Sequence, residues 1–320
     1  MNGKYTEADR EAIKKLDAFL PDKIFDAHMH ISNFPFGGME YFGFREYYED
    51  MLPLFSGRSV RCNALVAPCK ELKSKEAHLS AIEFMRDQLD EYKGNVGAIL
   101  VKPGEAAEEI ESHLVADGIK GLKCYHTYAE REKTFDCSIS EYLPEAALEV
   151  ANKRRMFVTI HLVKDSALAD PENMKQIKDI AKKYPDLTLV LAHSARAFAA
   201  WTAIETVSEL RDYENVWYDF SAICESPSIM QILKTIGTSR CMWGSDYNVS
   251  MIRGKAVSMG KGFCWLDDKQ LETVFHREMP TLWRISIENL MAVRQAAQIL
   301  EIGNAELEDI FYNNAARLFG

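Results

Sequence analysis

Two histidines separated by one residue, His28 and His30, follow a short apolar run near the start of the chain. Alternate side chains of a β-strand lie on one face of the strand. Both imidazoles can therefore point at one divalent cation from a single short element, because imidazole nitrogen is a common ligand of such cations. A His-x-His pair alone is weak support for a metal site, so this interpretation depends on further ligands elsewhere in the chain.

Three more side chains that can bind a metal or move a proton lie far downstream, and each follows a short hydrophobic run. They are His161, His193 and Asp246. Residues at the carboxyl ends of parallel barrel strands meet at one face of the barrel. The repeated order of an apolar strand and then a candidate ligand therefore predicts one shared site.

The elements that must position these residues alternate between strand-like and helix-like segments. Eight strands are predicted, near residues 24–31, 60–67, 96–102, 118–125, 156–163, 187–193, 215–221 and 240–246. Amphipathic segments of helix length lie at 73–92, 105–116, 141–155, 171–184, 196–211 and 227–236. This alternation predicts an α/β fold, a (β/α)₈ TIM barrel. An open doubly wound sheet is the structural alternative, but no Gly-x-Gly-x-x-Gly follows the first strand.

The chain is predicted to form a single domain over residues 1–320, because no linker rich in Pro, Gly or Ser divides it. An N-terminal helical extension covers residues 1–22, and we expect its helix-like segment at 7–19 to close the bottom of the barrel. Two connections, 32–58 and 247–269, exceed the usual loop length and are expected to be functional or disordered.

Charge and composition exclude several classes of partner. The formal net charge of −10 disfavours nucleic acid, whose binding proteins present basic surfaces. No stretch approaches the roughly 18 to 20 apolar residues of a membrane span, and the charged N-terminus lacks a signal peptide's apolar core. We therefore expect a cytoplasmic protein with no membrane partner. The seven cysteines show no Cys-x-x-Cys spacing, so neither a disulfide framework nor a zinc knuckle is indicated.

Several motifs follow one another in a fixed order along nearly the whole chain. They are Phe25-Asp26-Ala27-His28-Met29-His30, Gly121-Leu122-Lys123, Ile160-His161, Leu191-Ala192-His193, Gly244-Ser245-Asp246-Tyr247 and the closing stretch 313–320. In these motifs the chain resembles the amidohydrolase superfamily, in the branch called amidohydrolase 2. That branch contains metal-dependent TIM-barrel hydrolases and related nonoxidative decarboxylases.

The resemblance implies roles for the histidines and for Asp246. His28, His30 and His161 would bind the metal, and Asp246 would be a further ligand or would share the proton of the metal-bound water. His193 would polarise the substrate or move a proton. The chemistry agrees, because Zn²⁺ held by such groups lowers the pKa of bound water to about 7. Zn²⁺ is the first choice, and Mn²⁺, Fe²⁺ or Co²⁺ suit similar ligands. Asp26 shares the strand face of the two histidines and would steady them from behind.

A further group of residues is predicted to contact the substrate, each with an alternative. Lys123 either carries a carboxylate that bridges two metals or, unmodified, holds a substrate carboxylate, and we favour one metal. Tyr125 and His126 either line the mouth of the site or stabilise a loop. Arg196 and Arg253 either pair with an anionic substrate group or make ordinary surface contacts. His78 and His113 lie in polar helical segments and are expected to face solvent.

Three functional hypotheses remain open from the sequence. The leading one is a metal-dependent hydrolase that uses activated water on an amide, ester or lactone bond of a small anionic or ring-containing substrate. The second is a nonoxidative decarboxylase that uses the same metal. The third is a catalytically silent barrel that binds a metabolite or a partner protein. The resemblance also implies a homodimer.

Overall fold

Eight parallel strands form the centre of the computed structural model, which describes residues 5–267, 270–271 and 281–320. The strands are β1 (Lys23–Ile31), β2 (Ser59–Val66), β3 (Val96–Leu100), β4 (Ile119–Cys124), β5 (Phe157–Ile160), β6 (Thr188–Leu191), β7 (Val216–Asp219) and β8 (Cys241–Met242). Their spatial order equals their order in the chain, and helices connect them. The predicted (β/α)₈ barrel is confirmed, and the strands are almost wholly buried, as parallel strands covered on both faces must be.

Backbone hydrogen bonds join the last strand to the first. The amide of Ala27 donates to the carbonyl of Trp243 (3.0 Å), and the amide of Asp246 donates to the carbonyl of His28 (2.7 Å). The amide of His30 donates to the carbonyl of Tyr247 (2.6 Å). The pairing thus continues beyond the two assigned residues of β8, and it fixes Asp246 beside the two histidines of β1.

The helices of the described residues surround the strands. They are α1 (Glu7–Asp17), α2 (Phe44–Phe55), α3 (Lys75–Glu91), α4 (Ala107–His113), α5 (Glu145–Arg154), α6 (Pro171–Lys183), α7 (Ala200–Thr206), α8 (Ser226–Ile236), α9 (Ile285–Ile299), α10 (Asn304–Glu308) and α11 (Asn314–Phe319). Local signals explain their bounds: Asp170 caps α6 by accepting from the amides of Glu172 and Asn173, and Pro171 is its first residue. None of the described helices is long and apolar enough to cross a membrane.

The predicted helix at 196–211 is wrong in its first turn. Residues His193–Arg196 have φ angles of 52°, 47°, 64° and 58°, so they form a left-handed turn. The helix begins only at Ala200, and a 3₁₀ turn over Val207–Leu210 follows it. The spacing of apolar residues cannot reveal a left-handed turn built without glycine, because L-residues rarely adopt that conformation.

The C-terminal helix α11 closes the bottom of the barrel, where the strands begin. The ring of Phe319 packs 4.6 Å from Phe157 and 5.6 Å from Phe25, measured between ring centroids. The N-terminal helix α1 packs instead against α2 and α9. The expectation that the N-terminal helix would close the barrel is therefore corrected.

The long connection after β8 contains an antiparallel hairpin, β9 (Gly254–Met259) and β10 (Gly262–Asp267). The earlier long connection contains α2. His78 and His113, expected to face solvent, are 3% and 9% exposed. The His78 ring is buried because α3 packs on β3, and its Nε2 lies 2.9 Å from the carbonyl oxygen of Leu100.

Candidate metal centre

The ends of β1 and β8 bring three predicted metal ligands together: His28, His30 and Asp246. Asp246 Oδ1 lies 3.2 Å from His30 Nε2 and 3.5 Å from His28 Nε2. All three side chains are buried, and their ligand atoms lie within 4.8 Å of one another. Two imidazoles and a carboxylate at this spacing are a donor set suited to a divalent cation.

Asp219 contacts His28 at Nδ1, the ring nitrogen that does not face Asp246, and it is not among the residues predicted from the sequence. Its Oδ2 lies 3.0 Å from His28 Nδ1, and its Oδ1 accepts from the backbone amides of His193 (2.9 Å) and Ser221 (3.1 Å). Burial raises the pKa of Asp219, but the neighbouring imidazoles and hydrogen bonds outweigh it and hold the pKa well below its usual value. Asp219 ends β7 directly after an apolar run. That is the same signal that identified Asp246, and it could have revealed Asp219.

The contact with Asp219 fixes which nitrogen of His28 carries the proton. Burial lowers the pKa of His28 to about 4, although Asp219 acts in the opposite direction, so the ring is neutral at pH 7. The Asp219 carboxylate only accepts, so the single proton lies on Nδ1. Nε2 then presents a lone pair, and it has no hydrogen-bond partner among the described residues. Two electron-pair donors, His28 Nε2 and the Asp246 carboxylate, thus face each other, and a cation bound to both would satisfy them.

His161 and His193 lie next to this cluster. Their ring centroids are 5.3 Å apart, and the His193 ring is 4.9 Å from that of His28. His193 Nδ1 lies 3.0 Å from the carbonyl oxygen of Ser221, which can only accept, so Nδ1 carries a proton. Burial holds the pKa of His161 well below its usual value, and its Nδ1 has no partner among the described residues. His161 is thus close to the cluster but outside its tightest group, and its role as a ligand stays a prediction.

The left-handed turn carries His193 at one end and Arg196 at the other. Its backbone bonds run from the Arg196 amide to the Ala192 carbonyl (3.2 Å) and from the Ala197 amide to the His193 carbonyl (2.9 Å). A non-glycine residue in this conformation costs about 1 kcal/mol or more. The surrounding fold therefore holds this turn against local preference, as strained turns at functional sites are held.

Asp26 links the backbones of the two strands that supply the cluster. Its Oδ1 accepts from the amides of His28 (3.0 Å) and Ser245 (2.8 Å), and its Oδ2 accepts from the hydroxyl of Tyr47 (2.8 Å). Burial raises the pKa of Asp26 to about 7, against these hydrogen bonds. Asp26 lies behind the ligands, where it fixes the relative position of β1 and β8.

Gly244 allows β8 to approach β1 closely. A Cβ atom placed on Gly244 would lie 2.8 Å from His28 Cβ and 3.1 Å from the His28 amide nitrogen. Both distances are shorter than normal contacts, and the obstructing atoms belong to the strand itself. A glycine is therefore required for Asp246 to lie beside His28.

Lys123, Tyr125 and His126 lie on the same side of the barrel. Lys123 is fully buried, its Nζ lies 4.6 Å from the centroid of the Tyr125 ring, and burial lowers its pKa to about 8. The Tyr125 hydroxyl is 3.4 Å from His30 Nδ1. The His126 ring is 6.3 Å from that of His161, and its Nδ1 lies 3.1 Å from Thr134 Oγ1. The structure thus brings these three residues to the histidine cluster.

The two arginines predicted to bind substrate differ in position. Arg196 is buried, and its side chain donates to the carbonyl of Lys164 (3.0 Å). Arg253 lies elsewhere: its guanidinium donates to the Asp9 carboxylate (2.6 and 3.1 Å) and to the carbonyl of Leu282 (2.8 Å). Arg253 therefore ties the base of the hairpin to α1, and the structure does not bring it to the histidine cluster. The position of Arg253 is explained by its pairing with Asp9, which lies 244 positions away in the chain.

Comparisons with known proteins agree with this fold. A family model described as amidohydrolase matches residues 25–320. The L-fucono-1,5-lactonase of Burkholderia ambifaria is 24% identical over 187 residues, which are 54% of this chain and 61% of the lactonase. The chain's match thus spans less than two thirds of that relative.

Solved structures resemble the chain in fold. The 5-carboxyvanillate decarboxylase of Sphingomonas paucimobilis has a TM-score of 0.60 at 12% identity, covering 93% of this chain and 99% of that one. A 5-carboxyvanillate decarboxylase of Novosphingobium aromaticivorans, solved with manganese and a nitrobenzoic acid, has a TM-score of 0.53 at 14% identity. That match covers 87% of this chain and 80% of the decarboxylase. A divalent metal is thus supported by the family and by the donor set of two histidines and an aspartate.

Proposed function

Because the chain belongs to the amidohydrolase family, we propose that it is a metal-dependent hydrolase that cleaves an amide, ester or lactone bond of a small anionic or ring-containing substrate. The observation that carries the proposal is the lone pair of His28 Nε2, buried without a partner among the described residues and facing the Asp246 carboxylate. A silent barrel has no physical need to keep two such donors facing each other in its interior.

The metal would be held by His28, His30 and Asp246, with His161 as the further ligand. A bound divalent cation supplies a Lewis acid that can polarise a carbonyl group or make water a nucleophile at neutral pH. Zn²⁺ is our first choice, and Mn²⁺, Fe²⁺ or Co²⁺ suit the same nitrogen and oxygen donors. We propose one metal ion rather than two, with a Lys123 side chain that is not carboxylated.

The remaining steps fall to side chains of the chain itself. Asp246 keeps a pKa below its usual value despite burial, because His193 and His30 favour its charged form. It is therefore a carboxylate at neutral pH and can accept the proton of an attacking water. The Nδ1 proton of His193 is held on the Ser221 carbonyl, so a proton released by the attacking water would enter and leave the ring at Nε2 on its way to the leaving oxygen. Lys123, Tyr125, His126 and Arg196 would contact the substrate.

Hydrolysis is preferred to decarboxylation because the curated relative found by sequence is a lactonase. Decarboxylation is the second candidate, because two of the solved structures that share the fold are decarboxylases. Those structures are 12% and 14% identical to the chain and so speak for the fold rather than for the reaction. The homodimer, the absence of a nucleic-acid partner and the cytoplasmic location stay predictions.

The test supplies the metal-loaded protein with L-fucono-1,5-lactone and, separately, with 5-carboxyvanillate. We expect acid release from the lactone, detected with a pH indicator, and loss of that signal in His28→Ala. Release of CO₂ from 5-carboxyvanillate without any acid release from the lactone would replace our proposal with the second candidate. Neither reaction, together with no metal uptake, would favour the silent barrel.

A further inference from the structure

Arg196 is a buried cation that forms no ion pair with a carboxylate among the described residues. Its side chain is 7% exposed, and one protein hydrogen bond, to the Lys164 carbonyl at 3.0 Å, engages it within the described part of the chain. No carboxylate among those residues forms an ion pair with it. Burial lowers its pKa to about 10, with Asp165 acting in the opposite direction, so it stays charged at neutral pH. A buried charge without a partner is costly, and a guanidinium has five N–H donors to satisfy.

Two aromatic rings hold the guanidinium. Its central carbon lies 4.8 Å from the centroid of Phe135 and 5.4 Å from that of Phe263. Phe135 belongs to the connection between β4 and α5, and Phe263 belongs to β10. Cation–π contacts of this kind orient the group while leaving its N–H edge available. We call this arrangement of Arg196, Phe135 and Phe263 the Arg196 clamp.

The Arg196 clamp belongs to a closed circuit of contacts that includes two residues of the metal centre. Neighbours in the circuit are 4.8 to 6.3 Å apart, measured between ring centroids or, for Arg196, from its central guanidinium carbon to a ring centroid. In order they are His126, Phe135, Arg196, Phe263, Phe198, His193 and His161, and the ring of His161 contacts that of His126 to close the circuit. A substrate whose reacting bond lies at the histidines could therefore extend one anionic group to Arg196.

The β9–β10 hairpin supplies one side of this circuit and is fixed to the barrel by separate contacts. The indole nitrogen of Trp201 donates to the carbonyl of Lys261 (2.8 Å), and the amide of Ser258 donates to Glu225 (3.0 Å). Trp265 packs on Phe198 with ring centroids 5.2 Å apart. The hairpin lies outside the eight-stranded sheet, so its residues can vary without disturbing the barrel register.

We propose that Arg196 binds a carboxylate group of the substrate, and that the β9–β10 hairpin sets substrate specificity by supplying Phe263 to the Arg196 clamp. This deepens the proposed function and rests on it for the place of the reaction. The planar fork of a guanidinium matches a carboxylate with two parallel hydrogen bonds, and the adjacent rings favour a flat, apolar body. The substrate class is thus a ring compound that carries a carboxylate. Phe263 is a positioning residue, since it acts through Arg196.

The test compares two probes that differ in charge and hardly in shape, benzoate and benzamide, by calorimetry on the metal-loaded protein. We expect the wild type to bind benzoate at least about tenfold more tightly, the effect of one charge-assisted hydrogen bond or more. Arg196→Met should abolish this preference by weakening benzoate binding far more than benzamide binding. Arg196→Lys keeps the positive charge but lacks the two parallel N–H donors of the guanidinium, so it should retain part of the preference for benzoate.

Phe263→Leu should reduce benzoate binding about threefold more than it reduces benzamide binding, because it removes the ring that orients Arg196. The matched control is Met259→Ala in the same hairpin, where the side chain is 63% exposed. It should alter neither affinity. Thermal unfolding of each variant checks that the fold is kept.

Three results would overturn the inference. The first is that the wild type does not prefer benzoate, which includes the case in which it binds neither probe at about 10 mM. The second is that Arg196→Met keeps the preference, and the third is that the variants weaken the binding of both probes equally. The proposed function is tested separately by lactone hydrolysis. A preference for benzoate without lactone hydrolysis would contradict the proposed function and support the role of the Arg196 clamp. Lactone hydrolysis without a preference for benzoate would support the proposed function and contradict the role of the clamp.

Discussion

The carboxylate of Asp219 decides how His28 can act, because it accepts a hydrogen bond from Nδ1, keeps the proton of the ring on Nδ1 and leaves Nε2 as a lone-pair donor. Four hydrogen bonds hold that carboxylate, from His28 Nδ1, from the amides of His193 and Ser221, and from the Ser221 hydroxyl. One acidic side chain therefore orients two of the histidines in the site. Replacing a group that orients a metal ligand in this way typically costs about 10-fold to 100-fold in metal affinity or activity.

Asp219→Asn should therefore weaken metal binding while leaving the ligands in place. We expect about a 10-fold to 100-fold rise in the metal dissociation constant, because the amide makes His28 a poorer donor. Titration against a competing chelator measures this. The matched control is Glu214→Asn, at a surface carboxylate whose side chain is 87% exposed, and it should bind metal like the wild type. An unchanged affinity in Asp219→Asn would contradict the role given to Asp219.

At the residue scale, the sequence was sufficient to place two predicted ligands that share one strand. His28 and His30 are recognisable because alternation along a strand places both on one face. Asp219 is one acidic residue among 48, and only its place after an apolar strand distinguishes it. The sequence left Arg253 open between a substrate contact and ordinary contacts, because the position of its partner Asp9 depends on how α1 packs, which no local pattern encodes.

At the scale of elements, the contact between β1 and β8 determines the geometry of the site. Three backbone hydrogen bonds join the strands, and Asp26 accepts from both of them. Eight strands and most helices follow from apolar periodicity, which needs only local sequence. The left-handed turn at His193–Arg196 does not, because tertiary contacts hold it against the preference of its residues.

Gly244→Ala tests the close approach of these strands. Its added methyl would meet His28 Cβ at 2.8 Å, so β8 must move and Asp246 must leave its position. We expect a loss of stability of about 1 to 3 kcal/mol, typical of overpacking, with a clear loss of metal affinity. Urea unfolding and metal titration measure the two effects.

The control for this variant is Gly262→Ala in the hairpin, where an added Cβ meets nothing closer than the Met259 carbonyl oxygen at 4.0 Å. That substitution should change neither stability nor metal affinity by much. If Gly244→Ala behaved in the same way, the strands would not require a glycine at their contact.

At the scale of the whole molecule, long-range polar contacts join elements that are distant in the chain. Asp9 is wholly buried in α1 and pairs with Arg253 at the base of the hairpin. Burial raises the pKa of Asp9, but hydrogen bonds from Arg253 and Thr6 more than offset this and hold the pKa below its usual value. A depressed pKa adds stability above the unfolded pKa, near 4, and this contribution is lost as the pH falls through the folded pKa.

Arg253→Met should accordingly destabilise the protein by about 3 kcal/mol at pH 7, because it leaves a buried carboxylate unpaired. The difference from the wild type should shrink as the pH falls below about 4, where Asp9 becomes protonated. Urea unfolding at pH 7 and pH 3 measures both values. Arg45→Met, at an exposed pair with Glu49, is the control and should cost less than about 1 kcal/mol. A difference that stayed constant with pH would exclude Asp9 as its source.

We propose that three segments distant in the chain, at the ends of β1, β5 and β8, gather the metal ligands at one end of the barrel, and metal content tests this proposal most directly. Purified protein exposed to Zn²⁺ or Mn²⁺ and then desalted should retain about one equivalent by elemental analysis. His28→Ala should retain less than about a tenth of an equivalent. A wild type that takes up no metal, or a His28→Ala variant that keeps full occupancy, would contradict the account.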